Sequence, residues 1–141
     1  HRLNIRGNWR ATRRLRTACE RAKRELSKQS QAVVEIESLC NGIDFVTYVT
    51  LPKFEQLCQP LFAKVGPCVQ QVLDDAGISK AQIDKVVMAG GCSYMPKVRE
   101  ILAQLFGHEV LMCGIYPDEV ASYGAARQAE ILSGAEVSEP P

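Results

Sequence analysis

The groups best placed to do chemistry lie in residues 86–97, VVMAGGCSYMPK. Gly90 and Gly91 have no side chains to hold a ligand off the backbone. The apolar run Val86, Val87, Met88 and Ala89 before them suits a short strand buried on both faces. Pro96 opens a helix at a position where its missing N–H costs nothing. Strand, Gly-Gly, loop and helix start together make an anion site, because free N–H groups meet the positive end of a helix dipole. The same pair also serves as a plain tight connection between strand and helix, so the loop alone leaves both roles open. A second candidate is basic. Arg10, Arg13, Arg14, Arg21, Lys23 and Arg24 lie largely off an apolar stripe of Ala11, Leu15, Ala18, Cys19, Ala22 and Leu26. Such a helix face is either solvated and salt-bridged or binds phosphate.

These groups need elements to hold them. The spacing predicts a helix over residues 9–27, then strands over 32–39 and 45–51 joined at Asn41-Gly42, the strongest hairpin signal in the chain. Thr50 can cap the next helix, with Pro52 in its first turn. That helix runs toward Gly77, and Pro60 and Gly66-Pro67 should kink or split it. Residues 79–84 form a polar connector around Ile83. After the central strand and loop, a helix from Pro96 carries Val98, Ile101, Leu102, Leu105 and Phe106 and ends at Gly107. A short strand over residues 109–112 follows. Tyr116-Pro117-Asp118-Glu119 then starts a last helix, with acids where the dipole favours them. That helix is lined by Ala121, Gly124, Ala125, Ala126 and Ala129, a surface small enough for a backbone or flat ligand to come close. Residues 135–141 read as a frayed tail. The order gives an α/β lobe carrying an α+β appendage, with no internal repeat.

The chain has 141 residues, 46% of them hydrophobic, enough for a real core. No apolar run approaches the roughly 18 residues of a membrane span, so no membrane partner is expected. The N-terminus lacks an apolar signal-like core and an initiator Met, so the chain is expected to start inside a longer protein. Its net charge of +1 hides a segregation. Residues 1–28 hold ten Lys/Arg against two Glu, a net of +8, and residues 29–141 hold seven against fourteen Asp/Glu, a net of −7. Self-pairing and an external polyanion are both open uses for that basic segment. Six cysteines, at 19, 40, 58, 68, 92 and 113, form no C-x-x-C pair, and only His1 and His108 could join them, so no metal site is expected. Most sit in apolar contexts as small hydrophobes, which suggests a reducing, cytoplasmic compartment.

Four stretches together carry a resemblance that none carries alone: RRLRTACERAKRELS from Arg13, GIDFVTYVTLPKFEQL from Gly42, VVMAGGCSYMPKVREIL from Val86 and YPDEVASYGAARQAEILSG from Tyr116. In this order and spacing the chain resembles the heat shock protein 70 chaperones. The resemblance implies the second lobe of that family's actin-like ATPase domain, present in part: residues 1–82 as the outer subdomain, and 83–134 as the end of the inner one. The first lobe, the start of the inner subdomain, the linker and the peptide-binding domain have no counterpart here.

By resemblance, half of an adenine-nucleotide site follows. Glu20 and Lys23 would contact the ribose, Ser27 the adenine edge, and Arg24 would lay its guanidinium on the adenine face. These positions are i, i+3, i+4 and i+7, one helix face roughly opposite the apolar stripe, and such a face can also be merely the wet side of the helix. Gly90 and Gly91 match the glycine pair beneath the nucleotide, with N–H groups facing phosphate or ribose. Asp118 matches an acid near the base, or caps the helix. The chain departs from the family's G-G-S-T-R-I-P loop: Cys92 replaces Ser, and Tyr94 replaces the Arg that clamps the second adenine face. A tyrosine can stack but brings no charge. Tyr116 replaces the usual Asn before Pro-Asp-Glu.

The resemblance implies ATP or ADP as ligand, with Mg²⁺ in the complete domain, and a role in ATP-dependent protein folding and the stress response. Hydrolysis happens in a cleft between two lobes, so this chain alone is expected to be inactive. Stacking on Arg24 or Tyr94 is worth roughly 1–3 kcal/mol. An anion contact at a helix terminus adds about 0.3–1 kcal/mol. Micromolar affinity needs about 8 kcal/mol, so binding near millimolar is expected. The competing reading is a non-catalytic interaction module: the resemblance implies that nucleotide-exchange factors grip the outer subdomain, so residues 28–77 could bind such a factor or another partner without nucleotide. A nucleic-acid binder using residues 2–28 is disfavoured, because the basic run has no interleaved aromatics.

Overall fold

A computed structural model describes residues 4–112, 114 and 116–134. The expected tail at 135–141, together with His1 and Cys113, lies outside the described residues. Contacts divide the chain into two compact units, one ending at Phe62 and the other beginning at Ala63.

The first unit is a helix packed on a hairpin, extended by a second helix. Helix α1, Trp9–Glu25, starts where the Asn8 side chain accepts from the Ala11 N–H at 3.0 Å. Strands β1, Gln31–Cys40, and β2, Ile43–Thr50, pair antiparallel. Between them Asn41 and Gly42 take φ of 53° and 73°, the two left-handed residues that a tight hairpin turn requires. Alternation along β1 buries Ala32, Val34 and Ile36. An irregularity between Ile36 and Cys40 then breaks the register, and Ser38 takes φ 45°. The extra residue returns Leu39 to the buried face, which strict alternation would have turned outward. Two clusters make the core: Ala22, Leu26, Ala32 and Val34, and Ala11, Ile36 and Leu39, bridged by the half-buried Leu15, Ala18 and Phe45. Helix α2, Leu51–Phe62, begins with the Lys53 N–H donating to Thr50 Oγ1 at 3.4 Å, the expected cap. Phe54 meets Phe62 edge-on at 6.4 Å between ring centres.

The expected splitting of the long helix is observed. Pro60 sits in the last turn of α2, residues 63–64 form a turn, and Gly66-Pro67 fall in the first turn of α3, Val65–Ala76.

The second unit continues through a 3₁₀ turn, Lys80–Gln82, where the Ser79 N–H donates to Gln82 Oε1 at 2.8 Å. Strand β3, Val86–Val87, pairs in parallel with β4, Leu111–Met112. Helix α4, Pro96–Phe106, packs against α3, and α5 spans Val120–Ser133. Buried here are Leu73, Met88 and Ala103. Two expectations are corrected. The central strand is not buried on both faces: among the described residues it pairs with one strand, and Val87 is 64% exposed. The acids Asp118 and Glu119 do not fall in the first turn of the last helix but in the turn preceding Val120. Helices, a hairpin and a small parallel pair of strands are consistent with part of an α/β ATPase domain.

Candidate functional site

In the first unit, three predicted residues meet on one face of α1. Lys23 Nζ lies 2.7 Å from Glu20 Oε2, and Arg24 Nε lies 3.3 Å from Glu20 Oε1. The Lys23 ammonium, with Arg24 adding to it, holds the Glu20 carboxyl below the ordinary carboxylate range. Glu20 therefore stays ionised and fixes two cations at the helix surface. Arg24 keeps its plane in solvent, with 76% of the side chain exposed. Ser27 lies just past the helix, half-buried, its N–H donating to the Arg24 carbonyl at 3.2 Å. Glu20 and Lys23 also rim a groove of about 700 Å³ whose walls include Leu15, Phe54 and Leu57.

A second groove, of about 720 Å³, runs between α1 and β1. Arg10, Arg13, Arg14 and Arg21 flank it on the helix, and Glu35 and Glu37 on the strand. Arg14 is structural: its guanidinium donates to the carbonyls of Glu37 at 2.6 Å and Ser38 at 2.9 Å, closing the irregular end of β1. Self-pairing is one of two uses open to the basic segment, and within the first unit it is confined to α1. Among the described residues its cations make ion pairs only with Glu20.

In the second unit, the glycine loop turns tightly. Gly90, at φ 82° and ψ 158°, occupies a region that side chains avoid, and residues 91–94 form a 3₁₀ turn. Ser93 is buried and satisfied, its Oγ donating to the Ala89 carbonyl at 2.8 Å, while Arg99 Nε donates to the Ser93 carbonyl at 2.7 Å. One expectation needs correction. The Gly90 N–H is not free for phosphate, because it donates to the Pro117 carbonyl at 2.6 Å. The N–H groups of Gly91 and Cys92 have no partner among the described residues. Tyr94 and Asp118 come together: the phenol O–H donates to Asp118 Oδ1 at 2.6 Å. That bond pushes the Tyr94 pKa up to about 12, with burial and the Asp118 charge adding, and holds Asp118 below its ordinary value.

Sequence reasoning missed the carbonyl of Pro117, the inward Ser93 and the Arg99 strut, none of which has a local signature. The arginine face was legible, since Arg10, Arg13, Arg14 and Arg21 fall on one side of a helix. Cysteine burial was overstated: Cys40 is buried and Cys58 half-buried, but Cys19, Cys68 and Cys92 are exposed.

Comparison with known proteins gives one consistent result. The family model described as Hsp70 protein matches residues 1–140. Heat shock cognate 70 kDa protein 3 of Dictyostelium discoideum is 52% identical over 134 residues, 95% of this chain and 21% of that protein. A heat shock 70 kDa protein of Neurospora crassa is 47% identical over the same shares. A ribosome-associated molecular chaperone of Eremothecium gossypii is 50% identical over 97% of this chain and 22% of its own length. The chain thus spans about a fifth of the curated relatives it matches.

Proposed function

This chain belongs to the Hsp70 family, and from that premise we propose that it forms half of the adenine-nucleotide site of an Hsp70-type molecular chaperone. In this reading residues 1–82 act as the outer subdomain, and 83–134 as the end of the inner subdomain, of an actin-like ATPase lobe. The observation that carries it is Gly91. Its φ is not positive, and a Cβ built there meets no atom within 4 Å. Nothing within the described chain demands glycine at that position. A ligand pressed against the backbone would demand it, and the N–H groups of Gly91 and Cys92 are available to an anionic one.

Within the first unit, Arg24, with Glu20 and Lys23 at its base, would meet adenosine; within the second, Gly91 and Cys92 would offer N–H groups to phosphate or ribose, and Tyr94, beside Asp118, its ring face to a base. Mg²⁺ and hydrolysis belong to the complete two-lobed domain, where charge neutralisation around the phosphates becomes possible. The test is a titration of this chain with a fluorescent ADP analogue, repeated with Arg24→Ala and Gly91→Val. Binding near millimolar, weakened severalfold by either change, is expected. No binding at millimolar analogue by a chain shown to be folded would sink the half-site.

The arginine groove favours a second reading, in which the outer subdomain docks a nucleotide-exchange factor or co-chaperone. Arg10, Arg13 and Arg21 have no ion-pair partner among the described residues, and Glu35 and Glu37 face them across the groove. An acidic helix carrying one basic residue would match both walls. Charge reversal at Arg10 and Arg13 should abolish such docking and leave nucleotide binding unchanged. Docking that survives the reversal would exclude this groove.

A further inference from the structure

Two hydrogen bonds of 2.6 Å join the glycine loop to the turn before α5. The first runs from the Gly90 N–H to the Pro117 carbonyl, and the second from the Tyr94 hydroxyl to Asp118 Oδ1. They sit at the two ends of the loop and at consecutive residues of the turn. Between them the chain has no slack, because Ser93 is anchored inward to Ala89 and its carbonyl is held by Arg99. Every residue from 90 to 94 is therefore fixed directly or by a neighbour, while the N–H groups of Gly91 and Cys92 have no partner among the described residues. Of the two bonds to the turn, only the Tyr94 one joins side chain to side chain.

We propose that Tyr94 and Asp118 form a clasp that closes the glycine loop onto the turn before α5, making Asp118 a positioning residue that acts on the nucleotide through the Tyr94 ring. The proposal rests on the half-site reading. An aromatic ring pinned at its hydroxyl keeps one orientation and presents its face without a reordering cost when a base arrives. Opening the clasp frees the ring and the outer half of the loop but leaves the first tie and the core of the unit intact. The loss should therefore appear in binding rather than in folding.

Three readouts test this on the whole chain. Affinity for the fluorescent ADP analogue should fall roughly three- to tenfold in Tyr94→Phe, about the worth of one hydrogen bond. Asp118→Ala should match it, and the double variant should be no weaker than either single one. Asp118→Asn, which keeps an acceptor, should recover most of the loss. Melting should be unchanged throughout. Ultraviolet titration should show one phenol ionising near 12, absent in Tyr94→Phe and returned toward the ordinary value in Asp118→Ala. Wild-type binding that Tyr94→Phe leaves intact overturns the clasp alone. Additive losses, or a Tyr94 that ionises like an ordinary tyrosine, do the same. A folded wild-type chain that binds no analogue overturns the half-site reading, and the clasp's role with it.

Discussion

The two units bury their hydrophobic residues very unequally. Among the described residues, nine of the twelve buried hydrophobic ones belong to the first unit and three to the second, although the second is the larger. In the first, a helix covers one face of a hairpin and the core closes on itself. In the second, a two-stranded parallel sheet leaves Val87 exposed, and α5 buries no residue at all. Parallel strands are stable when both faces are covered. The second unit is thus shaped for covering that the described residues do not supply, while the first closes a core under the hairpin although Val46 and Tyr48 stay exposed on its other face. That difference separates residues chosen for folding from residues chosen for contact. In the first unit glycines and caps have a local reason. In the second, Gly91 and Gly124 have none within the described chain.

The sharpest way to break the comparison is to hollow the closed core. Leu26 is among the largest fully buried side chains, packed with Ala22, Ala32 and Val34. Leu26→Ala should cost about 2–5 kcal/mol. Urea unfolding followed by circular dichroism would measure it. A loss under about 1 kcal/mol would mean that the first unit is as loosely closed as the second.

A smaller effect is expected at the hairpin turn. Gly42 at φ 73° has open space where a Cβ would go, so the cost of a side chain is purely conformational. Gly42→Ala should destabilise by about 1–2 kcal/mol, the cost of a left-handed L-residue. Thermal melting checks it. An unchanged midpoint would show that the turn relaxes without disturbing β1 and β2.

Much of this was legible because it is local. Asn41-Gly42 announced the hairpin, Thr50 and Pro52 the start of α2, and Pro60 with Gly66-Pro67 the break between α2 and α3. The hidden parts depend on contacts distant in sequence. Nothing near residue 90 says that its N–H is taken by Pro117, 27 positions on. The irregularity at Ser38 was invisible because strict alternation also reads as a strand. It exists because the Ser38 N–H is met by Asp44 at 2.6 Å and its carbonyl by Arg14. The exposure of Val87 was misread for another reason. An apolar run reads as burial on both faces, whereas among the described residues β3 pairs with β4 alone and Val87 stays exposed.

The smallest effect has the opposite sign, and it bears most directly on the contrast. Gly124 lies inside α5, where glycine costs roughly 0.5–1 kcal/mol relative to alanine. A Cβ there would meet nothing within 4 Å, and the position is exposed, as are Ala121, Ala125 and Ala129. Gly124→Ala should therefore stabilise this chain by about 0.5–1 kcal/mol, read as a raised urea midpoint with unchanged slope. A natural sequence keeps such an easy gain unrealised when something outside the chain needs the space. The same substitution in a full-length relative should then be neutral or harmful, because the added methyl would meet whatever covers α5 there. If Gly124→Ala instead destabilises this chain, the face of α5 is already covered from within. The second unit would then be closed after all, and the contrast with the first would fail at its most exposed helix.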